Sequence, residues 1–226
     1  MPNPALLIMA KWPQAGQVKT RLSPFLSPEE AASLYRAILL DAFAASLQER
    51  LPVLVAFTPE ERSQDFEELL GGAAAFFPQR GDHLAARMGH AFQDAFAKGH
   101  GPILMRNSDA PTLPPQILHA ARVALRAGAD ASFSPDASRG FGVMGLQAPA
   151  PELFLEPLGE DSYEDMLRRC ADAGLSTMEV ESWYDVDTPA DLRRLLKEWR
   201  EGKATPQVSR FFAEQERGSA WLRKFG

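Results

Sequence analysis

The sequence predicts an α/β protein with a three-layer, Rossmann-like fold and a mostly parallel sheet. Three observations predict it. Short apolar runs of strand length alternate with longer amphipathic segments along most of the chain. The connections between them have lengths suited to crossovers. The opening run, residues 5–9 (ALLIM), is apolar at every position, as strands buried on both faces of a parallel sheet are.

The elements follow in order. After the first strand, residues 27–49 read as a helix. Ser27 is the N-cap, Pro28 takes the first helical position and Glu30 completes a capping box. Ala31, Leu34, Tyr35, Ile38 and Ala42 fall on one face. Residues 52–57 (PVLVAF) form a second strand. A short helix over 60–70 ends at Gly71-Gly72, and 73–77 (AAAFF) is a third strand. Residues 82–97 form a helix with Leu84, Met88, Ala91, Phe92, Ala95 and Phe96 inward. A strand at 102–106 precedes a helix over 114–127 that stops at Gly128. ADASFS and FGVMGL are strands, 161–173 a helix, STMEV a strand and 188–200 the last periodic helix. No repeat or linker divides residues 1–201, which read as one domain. Residues 202–226 form a polar C-terminal extension with Phe211, Phe212, Trp221 and Phe225 interspersed. It is expected either to pack back as an added helix or to stay mobile.

Composition narrows the function. The chain has 226 residues, 45% hydrophobic and 24% charged, with a net charge of −6. That charge argues against nonspecific nucleic-acid binding, which needs a broad basic surface, but it leaves room for a small basic pocket. The single cysteine, Cys170, allows no intrachain disulfide. No apolar run approaches the ~20 residues of a membrane span, and the N-terminal run lacks a basic lead and is too short for a signal peptide. These features lead us to expect a soluble, cytoplasmic protein with neither nucleic acid nor membrane as partner. The histidines do not stand at zinc-ligand spacing, and no G-x-S-x-G is present.

The loop after the first strand, AKWPQAGQVKTRL, concentrates positive charge in this acidic chain. It carries Lys11, Gly16, Lys19, Thr20 and Arg21, and the first acid of the chain is Glu29. In open parallel sheets ligands bind beyond the carboxyl ends of strands. Gly16 and Pro13 suit a tight turn. A lysine charge and an arginine fork suit phosphates, and the loop leads to a helix N-terminus. It is not a Walker loop, because no glycine lies five residues before Gly16-Gln17-Val18-Lys19. The alternative is a solvated basic loop.

Two acidic stretches also fall at strand ends. NSDAPTLP places Asp109 just past a buried strand, where an aspartate also serves as a turn or cap residue. YDVDTPADL places Asp185 and Asp187 before the last helix. Thr188, Pro189 and Asp191 there are explained by a capping box, but Asp185 and Asp187 are not. Carboxylates from separate strand ends, with phosphate oxygens and water, are how Mg²⁺ is usually held. Asp109 and Asp187 are therefore expected within roughly 8 Å of each other, with Asp185 pointing elsewhere. The literal D-x-D at 185–187 matches sugar-nucleotide glycosyltransferases, but that motif normally lies mid-chain, where Asn107-Ser108-Asp109 stands. Nucleotide phosphate chemistry is the sharpest reading.

AKWPQAGQVKTRL, QRGDHLAARM, NSDAPTLP and YDVDTPADL, in this order and spacing, resemble a bacterial family of glycosyltransferase-A-fold proteins. It is similar to the molybdenum-cofactor nucleotidyltransferases and to phospholactate guanylyltransferase. The resemblance runs from about residue 5 to residue 197. It implies a nucleotide-diphospho-sugar transferase fold, a loop over 11–21 that holds nucleotide phosphates, and Asp109 and Asp187 as carboxylates for Mg²⁺. Lys19, Arg21 and Asp109 are the catalytic candidates. Lys11, Gly16, Lys19, Thr20, Arg21, Asn107, Ser138 and Arg139 are the nucleotide-binding candidates. The substrates implied are a nucleotide or nucleotide-sugar and a small acceptor.

The chain departs from the family pattern G-P-x-x-D-G-G-Y-x-L-x-G-L, reading SPDASRGFGVMGL. Ser134, Ser138, Arg139 and Phe141 replace glycine, aspartate, glycine and tyrosine. Asn107 replaces a glycine, and a tryptophan expected between 154 and 162 is absent. Ser138 and Arg139 are expected to line the pocket opposite the basic loop. There Arg139 would either contact a more anionic acceptor or fill the site, paired with Asp109 or Asp136. Three functions stay open: nucleotidyl transfer, favoured because a triphosphate needs more positive charge; glycosyl transfer; and nucleotide binding by a degenerate site.

Overall fold

The interior residues of the first strand, β1 (Asn3–Lys11), meet the two layers in alternation. Ala5 and Leu7 face one hydrophobic cluster, Leu6 and Ile8 the clusters on the other side, because side chains along a strand alternate. Both faces are therefore covered, which is why the run is apolar throughout. A computed structural model of the chain describes residues 3–23, 25–216 and 221–222. Among these, the other strands are β2 (Val53–Thr58), β3 (Ala75–Pro78), β4 (His100–Asn107), β5 (Ala131–Pro135), β6 (Phe141–Leu146) and β7 (Thr177–Glu179).

The strands form one sheet in the order β3-β2-β1-β4-β6-β5-β7. All pairings are parallel except those of β6, which runs antiparallel to β4 and β5. The predicted α/β class and mostly parallel sheet are both present. The strand order reverses between β1 and β4, with Met9 opposite Asn107 at their carboxyl ends. This is the crevice where ligands bind in such sheets.

The helices are α1 (Pro28–Gln48), α2 (Ser63–Leu69), α3 (Leu84–Ala97), α4 (Pro115–Arg126), α5 (Ser162–Asp172), α6 (Pro189–Arg200) and α7 (Pro206–Glu216). α3 and α5 pack on the face of Leu7, Met105 and Phe133. α1, α2 and α4 cover the opposite face. The capping boxes read at Ser27/Glu30 and Thr188/Asp191 are both formed. α3 begins at Leu84 rather than at residue 82, with the His83 Nδ1 accepting from the Ala86 amide at 3.2 Å. Leu84 does not face inward as expected. It is 58% exposed at the edge of a cavity, while Ala85 beside it enters the core. No helix among the described residues is long and apolar enough to cross a membrane.

Beyond residue 202, α7 packs against α1 and α6 through Val208, Phe211 and Phe212. Phe212 lies 5.4 Å from Trp199, ring centre to ring centre. Trp221 is buried in the same cluster, and Phe225 lies outside the described residues. The polar tie is Asp41 of α1, 4% exposed, whose carboxylate accepts from the amides of Gln207 and Val208 at 2.9–3.0 Å. A carboxylate at a helix N-terminus satisfies amides that have no partner within the helix. Asp41→Ala should lower stability by about 1.5–3 kcal/mol, the loss expected for hydrogen bonds to a charged group. Urea unfolding followed by circular dichroism measures it, and an unchanged midpoint would show that α7 docks through its apolar face alone.

Candidate active site

Three chain segments meet at the carboxyl edge of β1 and β4. Arg106, 1% exposed, anchors the loop after β4. Its Nη2 donates to the Ala110 carbonyl at 2.7 Å, its Nη1 to the Ala42 carbonyl at 3.3 Å and its Nε to the Asn107 carbonyl at 3.2 Å. Burial draws its pKa down to about 10, so the guanidinium stays charged at neutral pH. Tyr35 joins the two strand ends. Its hydroxyl accepts from the Lys11 amide at 3.1 Å and bonds the Ser108 hydroxyl at 2.8 Å. The Val186 amide donates to the Asp109 carbonyl at 3.0 Å, which brings the segment before α6 alongside. The Asp191 carboxylate of the capping box accepts from the amides of Asp187 and Thr188 at 3.2 and 2.7 Å.

Asp109 and Asp187, 78 residues apart, both bind the ammonium of Lys19. The Asp187 Oδ1 lies 2.9 Å from Nζ, and Asp109 also hydrogen-bonds it. The two carboxylates thus converge within the roughly 8 Å expected. The Lys19 side chain is 4% exposed, whereas Asp109 and Asp187 are 32% and 39% exposed. The cation is therefore sealed beneath carboxylates that a ligand can still reach. Burial works against its protonation. The charges of Asp109 and then Asp187 outweigh that and hold it protonated beyond the ordinary lysine range. Lys19 also lies 5.6 Å from the centre of the Tyr35 ring. Its φ of 49° is left-handed, a conformation costly for a side chain other than glycine.

The other loop candidates are not gathered around a single point. Lys11 is exposed and its Nζ donates to the Gln17 carbonyl at 2.9 Å. Gly16 makes the turn with φ +75°, and Thr20 and Arg21 are exposed in the short turn Thr20–Leu22. Lys11, Gln17, Lys19, Tyr35, Asp109 and Asp187 line a groove of about 180 Å³.

On the other side of Asp109 lies a cavity of about 270 Å³. Here the expectations for Asn107, Ser138 and Arg139 are corrected, whereas Asp185 points away from the shared cation as expected. It lines this cavity with Asp109 and Asp136, and its Oδ2 accepts from the Asn107 Nδ2 at 2.7 Å. Asn107 thus lines the cavity rather than the basic groove, and its Oδ1 accepts from the Asp109 amide at 3.3 Å. Ser138 and Arg139 line neither space. The Asp136 Oδ1 accepts from the amides of Ser138 and Gly140 at 2.6 and 2.9 Å, which closes the turn between β5 and β6 and leaves both side chains exposed. Arg139, at φ 64°, contributes its carbonyl to the Tyr163 amide, and among the described residues it forms no ion pair with Asp109 or Asp136. Ser134, another departure, donates to the Glu181 carbonyl at 2.7 Å and ties β5 to the chain beyond β7.

The Asp185 carboxyl is pushed up to about 7 from 3.8, by burial first and by the charge of Asp109 second. A carboxyl whose folded pKa is raised binds more protons in the native state than in the unfolded state between these two values. Stability therefore falls as pH rises across that window. Asp185→Asn keeps an oxygen for Asn107 and removes the charge. It should be more stabilising relative to wild type at pH 8 than at pH 4. Thermal melts at both values check the sign, and an equal difference at both would mean that Asp185 titrates normally.

No curated protein sequence matches the chain. Among solved structures, a protein from Desulfovibrio desulfuricans G20, assigned provisionally as a nucleotide-diphospho-sugar transferase, is 27% identical. It aligns over 100% of this chain and 99% of its own with a TM-score of 0.87. A cytidylyltransferase from Leptospira borgpetersenii serovar Hardjo-bovis is 16% identical over 98% of this chain and 97% of its own, with a TM-score of 0.58. A CMP:2-keto-3-deoxy-manno-octonic acid synthetase solved with CTP is 14% identical over 88% and 99%, with a TM-score of 0.59. These last two share the fold. A family model described as uncharacterized protein conserved in bacteria matches residues 40–157, more than half of the chain, so the protein belongs to that family, DUF2064.

Proposed function

We propose that the protein is a Mg²⁺-dependent transferase that moves a nucleotidyl group from a nucleoside triphosphate to a small acceptor. The observation that carries this reading is the convergence of Asp109 and Asp187 on one cation at the switch point of the sheet. The donor set is two reachable carboxylates with no thiolate or imidazole. Mg²⁺ completes such a set with phosphate oxygens and water. The Lys19 ammonium marks a point to which both carboxylates already direct an oxygen. Asp109 and Asp187 would hold the metal, and the metal would neutralise charge on the phosphates. Lys19 is the cation these carboxylates share without ligand, and its role with ligand is to meet a phosphate oxygen. Lys11 and Arg21, exposed on the same loop, add charge for a triphosphate tail. The acceptor oxygen forms the new bond to phosphorus, and pyrophosphate leaves.

Glycosyl transfer from a nucleotide-sugar is the second reading, favoured by the assignment of the full-length relative from Desulfovibrio desulfuricans. The degenerate-site reading was motivated by Ser138 and Arg139, and their exposed positions outside both spaces speak against that motive.

Isothermal titration with the four nucleoside triphosphates and common nucleotide-sugars, with and without Mg²⁺, tests the proposal. A triphosphate should bind, and more tightly with Mg²⁺. Asp109→Asn and Asp187→Asn should each weaken that binding about 10- to 150-fold, the range set by one charged hydrogen bond. Tighter binding of a nucleotide-sugar would select the second reading. Binding indifferent to Mg²⁺ and to both substitutions would refute the first.

Lys19→Ala combined with Arg21→Ala should likewise weaken nucleotide binding. Arg21→Ala alone should leave the melting temperature near that of wild type, since an exposed charge contributes little to folding. Lys19→Ala should lower it, because Lys19 is a buried partner and not the exposed loop charge its sequence position suggests. Nucleotide affinity unchanged in the double variant would rule out a phosphate role for the loop.

A further inference from the structure

We infer that the cavity beside Asp109 is the acceptor site and that it takes a small alcohol with an apolar body and no negative charge, either neutral or carrying an ammonium. The name acceptor rests on the transferase reading above; the ligand chemistry rests on the cavity itself. Four methionines, Met9, Met88, Met105 and Met144, form its walls. Unbranched thioethers adapt their shape to a bound apolar body. Leu84, Leu158 and Phe141 extend the apolar surface. The 58% exposure of Leu84, a large apolar side chain at the edge of a cavity, leaves apolar area that a ligand would cover. At about 270 Å³ the cavity lies just below the roughly 300–1,000 Å³ of drug-sized sites.

The polar end of the cavity is one-sided. Asn107, Asp109, Asp136 and Asp185 line it, and among the described residues no lysine, arginine or histidine does. An anionic ligand would meet like charge in a desolvated space. A hydroxyl or ammonium would find acceptors. This reverses the expectation of a more anionic acceptor, which depended on Arg139 facing the pocket. Asn107 occupies the Asp185 Oδ2, and the other oxygen, Oδ1, lies on the side of Gly142.

Gly142 supplies an independent observation. It sits within β6 and does not have the positive φ that would call for glycine. A Cβ built there meets nothing nearer than 3.7 Å, and what it meets is the Asn107 Nδ2 and the Asp185 Oδ1. The protein's own packing therefore has room for a methyl group, yet the position is empty of side chain beside the two polar groups. That space suits close approach of a ligand. Asp109 lines both the cavity and the Lys19 groove, so a hydroxyl held at the polar end lies next to the place proposed for nucleotide phosphate.

The test uses the full chain with ¹³C-methyl methionine, observed by NMR without nucleotide or metal. The probes share a phenyl body: phenylalaninol is cationic, 3-phenylpropan-1-ol is neutral and phenyllactate is anionic. Phenylalaninol and phenylpropanol should shift Met9, Met88, Met105 and Met144 in a saturable way. Met166, buried elsewhere in the core, and Met178, exposed on β7, should stay still. Phenyllactate should bind at least tenfold more weakly. Gly142→Val should weaken the two alcohols at least tenfold. Gly142→Ala, for which there is room, should weaken them less and serves if the valine variant does not fold. Equal binding of phenyllactate, shifts centred on Met166 or Met178, no saturable binding by either alcohol, or affinity unchanged in a folded Gly142 variant would each overturn the assignment. Titrating Mg²⁺ and the triphosphates into the same samples separates the two readings. Nucleotide binding without probe binding overturns the cavity assignment alone. Probe binding without nucleotide binding supports the cavity chemistry and overturns the transferase reading.

Discussion

A lysine ammonium buried at the edge of a sheet is costly unless opposite charge comes to meet it. In this protein the cost is met by Asp109 and Asp187, and meeting it pins three distant segments to one point. The loop after β1, the loop after β4 and the chain before α6 have no covalent reason to lie together. Their convergence follows from parallel topology, which delivers the carboxyl ends of β1 and β4 side by side. The backbone bond from Val186 to Asp109 adds the third segment. Lys19 accepts a left-handed backbone to complete the arrangement, a strain of the kind that collects at functional sites.

The supports around this point are polar groups placed where apolar residues would ordinarily serve. Tyr35 lies on the buried face of α1, yet its hydroxyl joins the ends of β1 and β4. Arg106 follows the apolar run Ile103–Met105 of β4, and its guanidinium fork gathers three carbonyls from the turn after β4 and from helix α1. Both residues act through others: they set the direction from which Asp109 faces its cation. Asp191 does the same for Asp187, as part of a helix cap.

The architecture was legible in the sequence because its signals are local. Alternating strand-length and helix-length runs, two capping boxes and the apolar first strand depend on periodicity and on neighbouring residues. Asp109, Asp187 and the basic loop were legible because each follows a buried strand or precedes a capped helix. What was not legible depends on tertiary placement. Lys19 read as a loop charge, and only the fold shows that it is enclosed. Asp185 and Asp187 turn to either side of Asp109, and the cavity that Asp185 enters has no sign in the local sequence. Ser138 and Arg139 were drawn into the site by their family positions, but the Asp136 carboxylate closes the turn and leaves them in solvent. The methionine cavity had no signature, because its walls come from β1, β4, β6 and α3.

Asp109 stands between two spaces of different character. The groove on the Lys19 side sets Lys11 and Lys19 beside Asp109 and Asp187, and under the proposed reading a phosphate chain would meet its cations there. The cavity on the Asp185 side is mostly apolar with carboxylates at one end, a lining that would repel a phosphate chain. A transferase must keep its two substrates from entering each other's places while bringing one atom of each together. Under the proposed reading, one carboxylate shared by both spaces would set their distance, and the difference in charged groups would sort what enters each. Such sorting needs no moving part and no base-specific contact. It would follow from placing a buried lysine on one side of Asp109 and a second buried carboxylate on the other.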